Sequence, residues 1–376
     1  MRLIENLIIG AGPSGLAMAG RLKKSGIPFE ILEKSGDVGI TWRNHYDRLH
    51  LHTDKKYSEL PHFPFPKDYP TFVPKAKYIE YLDSYVKHFA IKPLFNQEVI
   101  SVERTSGVWL VKTKTGEYQA KNVILSTGYN RVPRIPRFEG QEKFKGEIFH
   151  VHHYKNGKAY TGKNVLVVGY GNSGAEIALD LYECGAKTFV SIRNPINIIK
   201  REFMGYSTQS LAIFMIRFGN TFYDFVAKIL KRMSEKALEG TGIPVSPLAP
   251  SEQIRTLGKV AVIDVGTLLQ IKAKNITVMP DITELTEDGV LFVNGEKKLI
   301  DVIVLATGYH ARIEEIVKGV GPLLNERGYP KAMWNDEETY NGLYFVGFNL
   351  PLTGILRDIY LSSEKVLQQI IMRMKA

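Results

Sequence analysis

The sequence predicts a fold of the α/β class, and three observations in the chain predict it. The first is Gly10-Ala11-Gly12-Pro13-Ser14-Gly15, which follows the strand-like run Leu3 to Ile9 and opens a helix-like run. The second is Gly169-Tyr170-Gly171-Asn172-Ser173-Gly174, which follows the apolar run 164–168 and precedes another helix-like run. The third is a small-residue turn, Ser126-Thr127-Gly128-Tyr129, that returns as Ala306-Thr307-Gly308-Tyr309.

A strand, G-x-G-x-x-G and a helix, in this order, form the turn that holds a dinucleotide pyrophosphate. The first glycine makes the tight bend, the second lets backbone N–H groups approach the phosphates, and the third lets helix and strand pack closely. The phosphates then face the unpaired donors of the helix N-terminus. Two such turns predict two Rossmann-like dinucleotide-binding domains, one for a flavin and one for the nicotinamide that reduces it.

Length and composition narrow the class of protein. A chain of 376 residues with 44% hydrophobic residues suits two domains with sizeable cores. Its single cysteine, Cys184, excludes a disulfide framework, a cysteine metal cluster and a redox dithiol. We see no secretory signal and no apolar run long enough for a membrane span, so we expect a cytoplasmic protein.

The net charge of +10 has two interpretations. It could indicate nucleic acid or an anionic membrane as a partner, or it could match the polyanionic cofactors. The lysines are scattered rather than gathered in blocks, and no nucleic-acid motif is present, which favours the second interpretation. We therefore expect a small-molecule substrate and no nucleic acid, while a homodimer stays open.

The residue that ends the second strand of each unit predicts which cofactor binds there. After the first turn this residue is Glu33, and a carboxylate there accepts hydrogen bonds from a ribose diol. After the second turn it is Arg193, followed by Lys200 and Arg201. A cation accommodates a 2′-phosphate, so we expect NADPH rather than NADH. The alternative for all four is an ordinary surface charge.

Further segments carry weaker signals. The five prolines of residues 60–74 predict an ordered loop without long helix or strand, and its aromatic residues suggest the wall of a pocket. Residues 76–89 have the periodicity of an amphipathic helix. His45, His50 and His52 lack a carboxylate or cysteine at ligand spacing, so we expect no metal.

Residues 205–240 predict a helical insertion rich in Phe, Ile and Met. It could cover the active site, pack a dimer or touch a membrane surface. The cations that would face outward in the last case are Arg217, Lys228, Lys231 and Arg232.

The residues just before the second glycine turn resemble the sequence fingerprint of a known protein family. Phe144-x-Gly146-x-x-x-His150-x-x-x-Tyr154 resembles the F-x-G-x-x-x-H-x-x-x-Y/F fingerprint of flavin-containing monooxygenases. Baeyer–Villiger relatives usually have Trp at the last position of this fingerprint, so Tyr154 argues against that branch. The stretches that look like the YUCCA group, whose members convert indole-3-pyruvate to indole-3-acetate in auxin biosynthesis, are 46–52, 59–61, 64–66, 169–174, 200–202 and 303–309.

This resemblance implies where each cofactor binds. FAD would lie on Gly10, Gly12, Pro13, Ser14 and Gly15, and NADPH on Gly169, Gly171, Asn172, Ser173 and Gly174. Arg193, with Lys200 or Arg201, would face the 2′-phosphate of NADPH. The remaining residues implied to bind a cofactor are Glu33, Lys34, Thr41, Trp42, His50, Thr127, Gly128, Thr307, Gly308, Gly347 and Leu356. His52, where animal flavin monooxygenases carry an Asn, is the implied catalytic residue.

The same resemblance implies the domain order and the reaction. The FAD domain would comprise residues 1–160 and 294–376, with the NADPH domain, 161–293, inserted. A flavin C4a-(hydro)peroxide would decarboxylate an aryl 2-oxo acid, most simply indole-3-pyruvate. Alternatives are N- or S-oxygenation, hydroxylation of an indole-like compound, and a nucleotide-binding sensor without catalysis. Flavin disulfide reductases need two reactive cysteines, and the chain has only Cys184.

Overall fold

The computed structural model describes residues 2–203, 205–216, 220–351 and 353–375. Its β-strands, in chain order, are β1 (Leu3–Ile9), β2 (Glu30–Leu32), β3 (Val99–Thr105), β4 (Val108–Thr113), β5 (Glu117–Leu125), β6 (Val132–Pro133), β7 (Glu147–His150), β8 (Asn164–Val168), β9 (Lys187–Ser191), β10 (Ile198–Lys200), β11 (Glu202–Phe203), β12 (Tyr206–Ser207), β13 (Val262–Asp264), β14 (Ile276–Met279), β15 (Ile282–Thr286), β16 (Gly289–Phe292), β17 (Lys297–Leu299), β18 (Val302–Leu305), β19 (Tyr309–His310) and β20 (Leu343–Phe345). Its α-helices are α1 (Pro13–Lys24), α2 (Ile40–Asn44), α3 (Lys75–His88), α4 (Asn172–Glu183), α5 (Thr208–Ile216), α6 (Asn220–Leu238), α7 (Pro250–Leu257), α8 (Thr267–Lys272) and α9 (Ile355–Lys375).

The chain divides into two compact units, and the predicted α/β class is confirmed. The first unit comprises residues 1–43, 53–132 and 309–376, and the second comprises 44–52 and 133–308. The boundaries therefore lie at 132/133 and 308/309 rather than at the predicted 160/161 and 293/294. The physical reason is strand pairing: β7 and β18, which fall outside the predicted insertion, belong to the sheet that contains β8.

The first unit is built on a mixed sheet in the order β2-β1-β5-β4-β3, with β20 also paired with β5. Strands β1, β2, β5 and β20 run parallel, and β4 and β3 extend the sheet as an antiparallel pair. Ser106 and Gly107, both with positive φ, form the tight turn between β3 and β4. Residues 99–125 thus form three consecutive antiparallel strands.

Aromatic side chains join helix α3 to the proline-rich loop within this unit. The helix buries Tyr78, Leu82 and Tyr85, as its periodicity predicts, and also Tyr81. The Tyr81 hydroxyl accepts a 2.7 Å hydrogen bond from the N–H of Leu60, and its ring centroid lies 4.1 Å from that of Phe65. The loop is therefore ordered by packing, and the prediction that it lacks long helix or strand is confirmed. Its role as a pocket wall stays a prediction.

The second unit contains a parallel sheet in the order β14-β9-β8-β18-β7. Leu166 of the central strand β8 is in register with Phe189 of β9 and Ile303 of β18. All three side chains belong to one buried cluster, to which the antiparallel strands β15 and β16 contribute Leu285 and Val290. Near-continuous apolar strands are typical of a parallel sheet that is covered on both faces.

The predicted helical insertion is two helices, α5 and α6, in the described residues. Arg217 lies outside the described residues. Lys228 and Arg232 of α6 are exposed, whereas the ammonium of Lys231 donates to the carbonyl of Pro247 at 2.6 Å.

The parallel pair β10 and β13 was not predicted, because strands of three residues are too short to show a hydrophobic pattern in the sequence. None of the described helices combines the length and apolar character that crossing a bilayer requires.

Candidate active site

The first glycine turn joins β1 to α1 in the first unit. Gly10 has a φ of +105°, and a Cβ on it would lie 2.7 Å from the carbonyl oxygen of Ser126. A Cβ on Gly15 would lie 1.9 Å from the carbonyl oxygen of Gly10. A Cβ on Gly12 would meet no described heavy atom within 4 Å. The first and third glycines are therefore required by the fold, whereas the second borders the space that the pattern assigns to phosphates.

Helix α1 begins directly at this turn. Gly12 is its N-cap residue, and Pro13 is its first residue, where a missing N–H is harmless. Because Gly12 has no side chain to accept from the first-turn N–H groups, those donors remain available to an anion. Gly347 lies against this turn, since a Cβ on it would be 1.9 Å from Oγ of Ser14. The structure thus brings these four predicted residues together: Gly12, Pro13, Ser14 and Gly347.

Glu33 is buried and bonded to the same turn. Its Oε2 accepts a 2.7 Å hydrogen bond from the N–H of Ala11, and its Oε1 accepts from the N–H and the hydroxyl of Ser35 at 3.0 and 2.8 Å. A carboxylate has about four lone-pair positions, so one remains for a ribose hydroxyl. The alternative that Glu33 is a surface charge is wrong, because the residue is 5% exposed. The neighbouring Lys34 is exposed.

The small-residue turn after β5 carries buried hydroxyls. Thr127 Oγ1 and Ser126 Oγ are buried, and neither has a hydrogen-bond partner among the described residues. Ser126 is also the residue against which Gly10 packs. Buried hydroxyls without partners are costly, so a bound polar group beside this turn would stabilise them. Gly128 has a φ of +75° and borders open space, consistent with its predicted role.

Helix α2 places Trp42 beside Tyr78, which carries a third buried hydroxyl of the first unit without a partner among the described residues. The N–H of Gly39, just before the helix, donates to the carbonyl of Ala11 at 3.0 Å. The Trp42 ring centroid lies 4.4 Å from that of Tyr78, whose hydroxyl is buried without a partner in the described part of the chain. Thr41 is exposed. Leu356, at the other end of the chain, is 4% exposed in the first turn of α9.

The second glycine turn repeats the geometry of the first. Gly169 has a φ of +100°, and a Cβ on it would lie 2.7 Å from the carbonyl oxygen of Ala306. A Cβ on Gly174 would lie 2.2 Å from the carbonyl oxygen of Gly169, whereas one on Gly171 would meet nothing described within 4 Å. Gly171 is the N-cap residue of α4. The two turns therefore present the same open middle position and the same helix N-terminus.

The cations predicted for a 2′-phosphate occupy different strands of the second unit. Arg193 follows β9, its side chain is 71% exposed, and its Nε lies 3.9 Å from the carboxylate of Asp281. Lys200 ends β10, which pairs with β13, and is exposed, whereas Arg201 is half-buried. The Asn172 amide oxygen accepts a 2.8 Å hydrogen bond from the N–H of Ile263, so this predicted residue also fixes the turn to β13.

The fingerprint residues Gly146 and His150 contact the two ends of the segment of residues 301–308, whose Ala306 packs against Gly169. Gly146 is packed so closely that a Cβ would lie 2.5 Å from the carbonyl of Asp301. His150 Nδ1 accepts from the N–H of His152 at 3.1 Å, so Nε2 carries the proton and donates to the carbonyl of Gly308 at 3.0 Å. Burial lowers the pKa of His150. The neighbouring Thr307 hydroxyl donates to the carbonyl of Arg134.

His50 and His52 lie in the segment of residues 44–52, which belongs to the second unit. His50 Nδ1 lies 2.6 Å from the carbonyl oxygen of Arg48. His52 Nε2 lies 3.3 Å from Oε1 of Glu176, and the hydroxyl of Tyr46 donates to Oε2 of the same carboxylate at 2.5 Å. Tyr46 and Glu176 were not predicted. The available signal was a carboxylate inside the apolar helix run that follows the second turn.

Comparison with known protein families decides the class of this chain. A family model described as flavin-binding monooxygenase-like matches residues 5–320. The chain belongs to this family. It is therefore a monooxygenase with a flavin cofactor, and the resemblance seen in the fingerprint is confirmed.

Relatives of this family member extend over most of the chain. The indole-3-pyruvate monooxygenase YUCCA6 of Arabidopsis thaliana is 40% identical over 360 residues, covering 91% of this chain and 85% of the relative. The indole-3-pyruvate monooxygenase YUCCA1 of Oryza sativa subsp. japonica is 38% identical over 350 residues, covering 91% of this chain and 86% of the relative. The solved OTEMO complex with FAD and NADP shares the fold, with a TM-score of 0.76 at 18% identity. The match covers 99% of this chain and 86% of the solved chain.

Proposed function

We propose that this flavin monooxygenase uses FAD and NADPH to convert indole-3-pyruvate, or a similar aryl 2-oxo acid, to the arylacetate. The observation that carries this proposal is the identity of 38–40% to relatives named indole-3-pyruvate monooxygenase. Indole-3-pyruvate, dioxygen, NADPH and one proton would give indole-3-acetate, carbon dioxide, water and NADP⁺. The equation balances in atoms and charge, and it needs no reactive side-chain nucleophile.

The residues of the first unit fit FAD. Gly12 and the N-terminus of α1 leave room and donors for the pyrophosphate, and Glu33 retains an acceptor for the ribose. The buried hydroxyls of Ser126, Thr127 and Tyr78 lack partners among the described residues, which is what a polar ligand in their vicinity would correct. When bound and reduced, the flavin supplies the electrons that activate dioxygen.

The residues of the second unit fit NADPH. The turn at Gly171 offers the same open position as Gly12, and α4 offers its N-terminal donors. Arg193 supports the choice of the phosphorylated dinucleotide, because its guanidinium is largely exposed and its acidic neighbour is 3.9 Å away. Such a cation can still bind a 2′-phosphate through charge-assisted hydrogen bonds.

His52 is the side chain that we assign to proton handling. Its Nδ1 is buried without a hydrogen-bond partner in the described residues, and an imidazole nitrogen can accept a proton and return it. The remaining task of the chain is to exclude water, because water near the activated oxygen favours release of hydrogen peroxide. Replacement of His52 by Asn should therefore change the ratio of arylacetate to hydrogen peroxide.

One assay tests the proposal against the alternative of amine oxygenation. The purified yellow protein is given NADPH and dioxygen, first with indole-3-pyruvate and then with N,N-dimethylaniline. We expect indole-3-acetate and carbon dioxide in equal amounts, one NADPH consumed for each, and little N-oxide. N-oxide without indole-3-acetate would assign the chain to amine oxygenation. NADPH oxidation that yields only hydrogen peroxide with both compounds would reject both substrates.

A further inference from the structure

A buried carboxylate connects the helix of the second glycine turn to His52. Glu176 lies in the second turn of α4 and is 3% exposed. Its Oε1 lies 3.3 Å from Nε2 of His52, and its Oε2 accepts the 2.5 Å hydrogen bond from the hydroxyl of Tyr46. Each carboxylate oxygen thus has one neighbour that can donate to it. A buried carboxylate is stable only with such partners. Glu176 therefore fixes the position of His52 from the interior of the second unit.

Tyr46 acts in this cluster as a donor. Its side chain is buried, and this burial, followed by the negative charge of Glu176, raises the pKa of Tyr46 well above its ordinary value. The phenol therefore keeps its proton and offers it to the carboxylate. The side chain of Ser173, in the second glycine turn, acts in the opposite direction and lowers the pKa of Tyr46, so the turn lies next to this cluster.

The ion pairs of Arg48 in the described structure go to carboxylates other than Glu176. Arg48 lies in the same segment as Tyr46, and its Nη1 is 2.7 Å from Oε2 of Glu183 and 3.7 Å from Oδ1 of Asp180. Both carboxylates lie further along α4. Among the described residues, the basic side chain within 4 Å of the Glu176 carboxylate is therefore His52.

The tautomer of His52 follows from these contacts. An ionised carboxylate has only acceptor positions, so the imidazole must direct an N–H from Nε2 toward Glu176. The neutral ring then carries its lone pair on Nδ1. Nδ1 is buried and has no hydrogen-bond partner in the part of the chain that the structure describes. A basic nitrogen left in this state points to a bound group that donates a hydrogen bond to it.

We propose that Glu176 is a positioning residue of the monooxygenase reaction. With Tyr46 it holds His52 as the Nε2–H tautomer, so that Nδ1 accepts a hydrogen bond, and when required a proton, from the ligand bound beside it. The negative charge of Glu176 then offsets the imidazolium that forms, and the proton returns to the ligand from the same Nδ1. This inference rests on the proposed function for the identity of that ligand.

The tautomer can be measured without turnover. In protein labelled with ¹⁵N histidine and loaded with flavin, long-range ¹H–¹⁵N correlation spectra distinguish the protonated from the bare ring nitrogen. Comparison with His52→Asn assigns the His52 signals. We expect Nε2 to carry the proton in the neutral ring. A proton on Nδ1 of the neutral ring in the native protein would overturn the proposal, because Glu176 would then be the donor.

Two matched Glu→Gln variants of the second unit separate positioning from folding. Glu176→Gln keeps shape but offers an amide N–H to His52, so the Nδ1–H tautomer should gain population. Glu142→Gln makes the same change on an exposed carboxylate of this unit and should leave the His52 signals unchanged. Unaltered His52 signals in Glu176→Gln would count against the proposal. If Glu176→Gln does not fold, the native tautomer alone decides.

Kinetics then test whether the positioning matters for the reaction. Glu176→Gln should lower kcat by about 10²-fold, the range of general acid–base catalysis, with the KM for indole-3-pyruvate little changed. Glu142→Gln should keep the native kcat. Native kcat in Glu176→Gln would overturn the role in catalysis. A protein with the expected tautomer but no activity on indole-3-pyruvate would contradict the proposed function and leave the assignment of Glu176 intact.

Discussion

The hydroxyl of Tyr154 donates a 2.6 Å hydrogen bond to Oδ2 of Asp180, in the middle of helix α4. The same oxygen accepts a 2.9 Å hydrogen bond from the N–H of Gly157. Tyr154 is the last residue of the fingerprint that precedes the second glycine turn, and it is fully buried. The fingerprint therefore fixes the helix whose N-terminus faces the predicted phosphates.

Tyr154→Phe should lower the free energy of unfolding of the protein by about 1.5–3 kcal/mol, the range for a hydrogen bond to a charged group. Asp180 keeps the N–H of Gly157, so a value near the lower end is expected. Equilibrium unfolding in urea measures the change. Tyr206→Phe is the control, because Tyr206 is 66% exposed and should change stability by less than about 0.5 kcal/mol. Equal stability of native protein and Tyr154→Phe would contradict the bracing role.

The open position of each glycine turn predicts a selective loss of cofactor. Gly12→Ala should fold, because its Cβ would meet no described atom within 4 Å, but the methyl group would occupy phosphate space and the purified protein should lose its yellow colour. Gly171→Ala should stay yellow and bind NADPH more weakly. Flavin absorbance and the melting temperature are the measurements. Gly15→Ala is the contrasting variant, which should fail to fold because its Cβ would lie 1.9 Å from a carbonyl oxygen.

Arg193 should determine the preference between the two nicotinamide dinucleotides. Arg193→Ala should raise the KM for NADPH by about 10- to 100-fold, which corresponds to the loss of a charge-assisted hydrogen bond, and leave the KM for NADH nearly unchanged. Lys187→Ala, at the opposite end of strand β9, removes an exposed cation of the same sheet and should leave both constants unchanged. If Arg193→Ala raised the KM for NADPH and the KM for NADH by the same factor, the 2′-phosphate would have to bind at other residues.

His150 should make the protein less stable in mild acid. Burial, and then the neighbouring His152 and His153, lower the pKa of His150 in the folded protein, while the hydrogen bond to the Gly308 carbonyl opposes this. The unfolded chain then binds the proton more tightly. The stability contributed by the neutral ring is complete above the ordinary histidine pKa of about 6.5 and decreases as the pH falls below it.

The variant His150→Gln checks this contribution, since Gln can donate to Gly308 but does not titrate. Its melting temperature should fall less than that of the native protein between pH 7 and the acid limit of folding. Surface His88→Gln serves as a control for loss of a titrating ring. The same acid sensitivity in native protein and His150→Gln would show that other groups govern the response.

The regular parts of the fold were predictable because their signals are local. Strands β1 and β8 have the predicted bounds, and α3 differs from its prediction by one residue at each end. Each of these elements has a long apolar run or a clear helical period. The unit boundaries were not predictable in this way, because β7 and β18 join their sheet through pairing between distant residues. No local pattern carries that information.

The residues of the candidate site were predictable where a short sequence motif identifies them, as with the regular elements of the fold. The glycine turns, Glu33 and the small-residue turns are recognised by short motifs whose backbone geometry is fixed by residue type. Glu176 and Tyr46 were missed, because a buried carboxylate is identified by its partners, and these lie far from it in the sequence. His52 came from a resemblance, and its role stays a prediction.

The segment of residues 44–52 belongs with residues 133–308, although a long stretch of the first unit separates them in the chain. No single continuous gene fragment therefore encodes the second unit. A truncated protein that starts at residue 133 would contain Glu176 but neither Tyr46 nor His52, and its interior would carry an uncompensated negative charge. Attempts to express this half of the enzyme alone should give aggregated material unless the short segment is grafted back or Glu176 is replaced by an apolar residue.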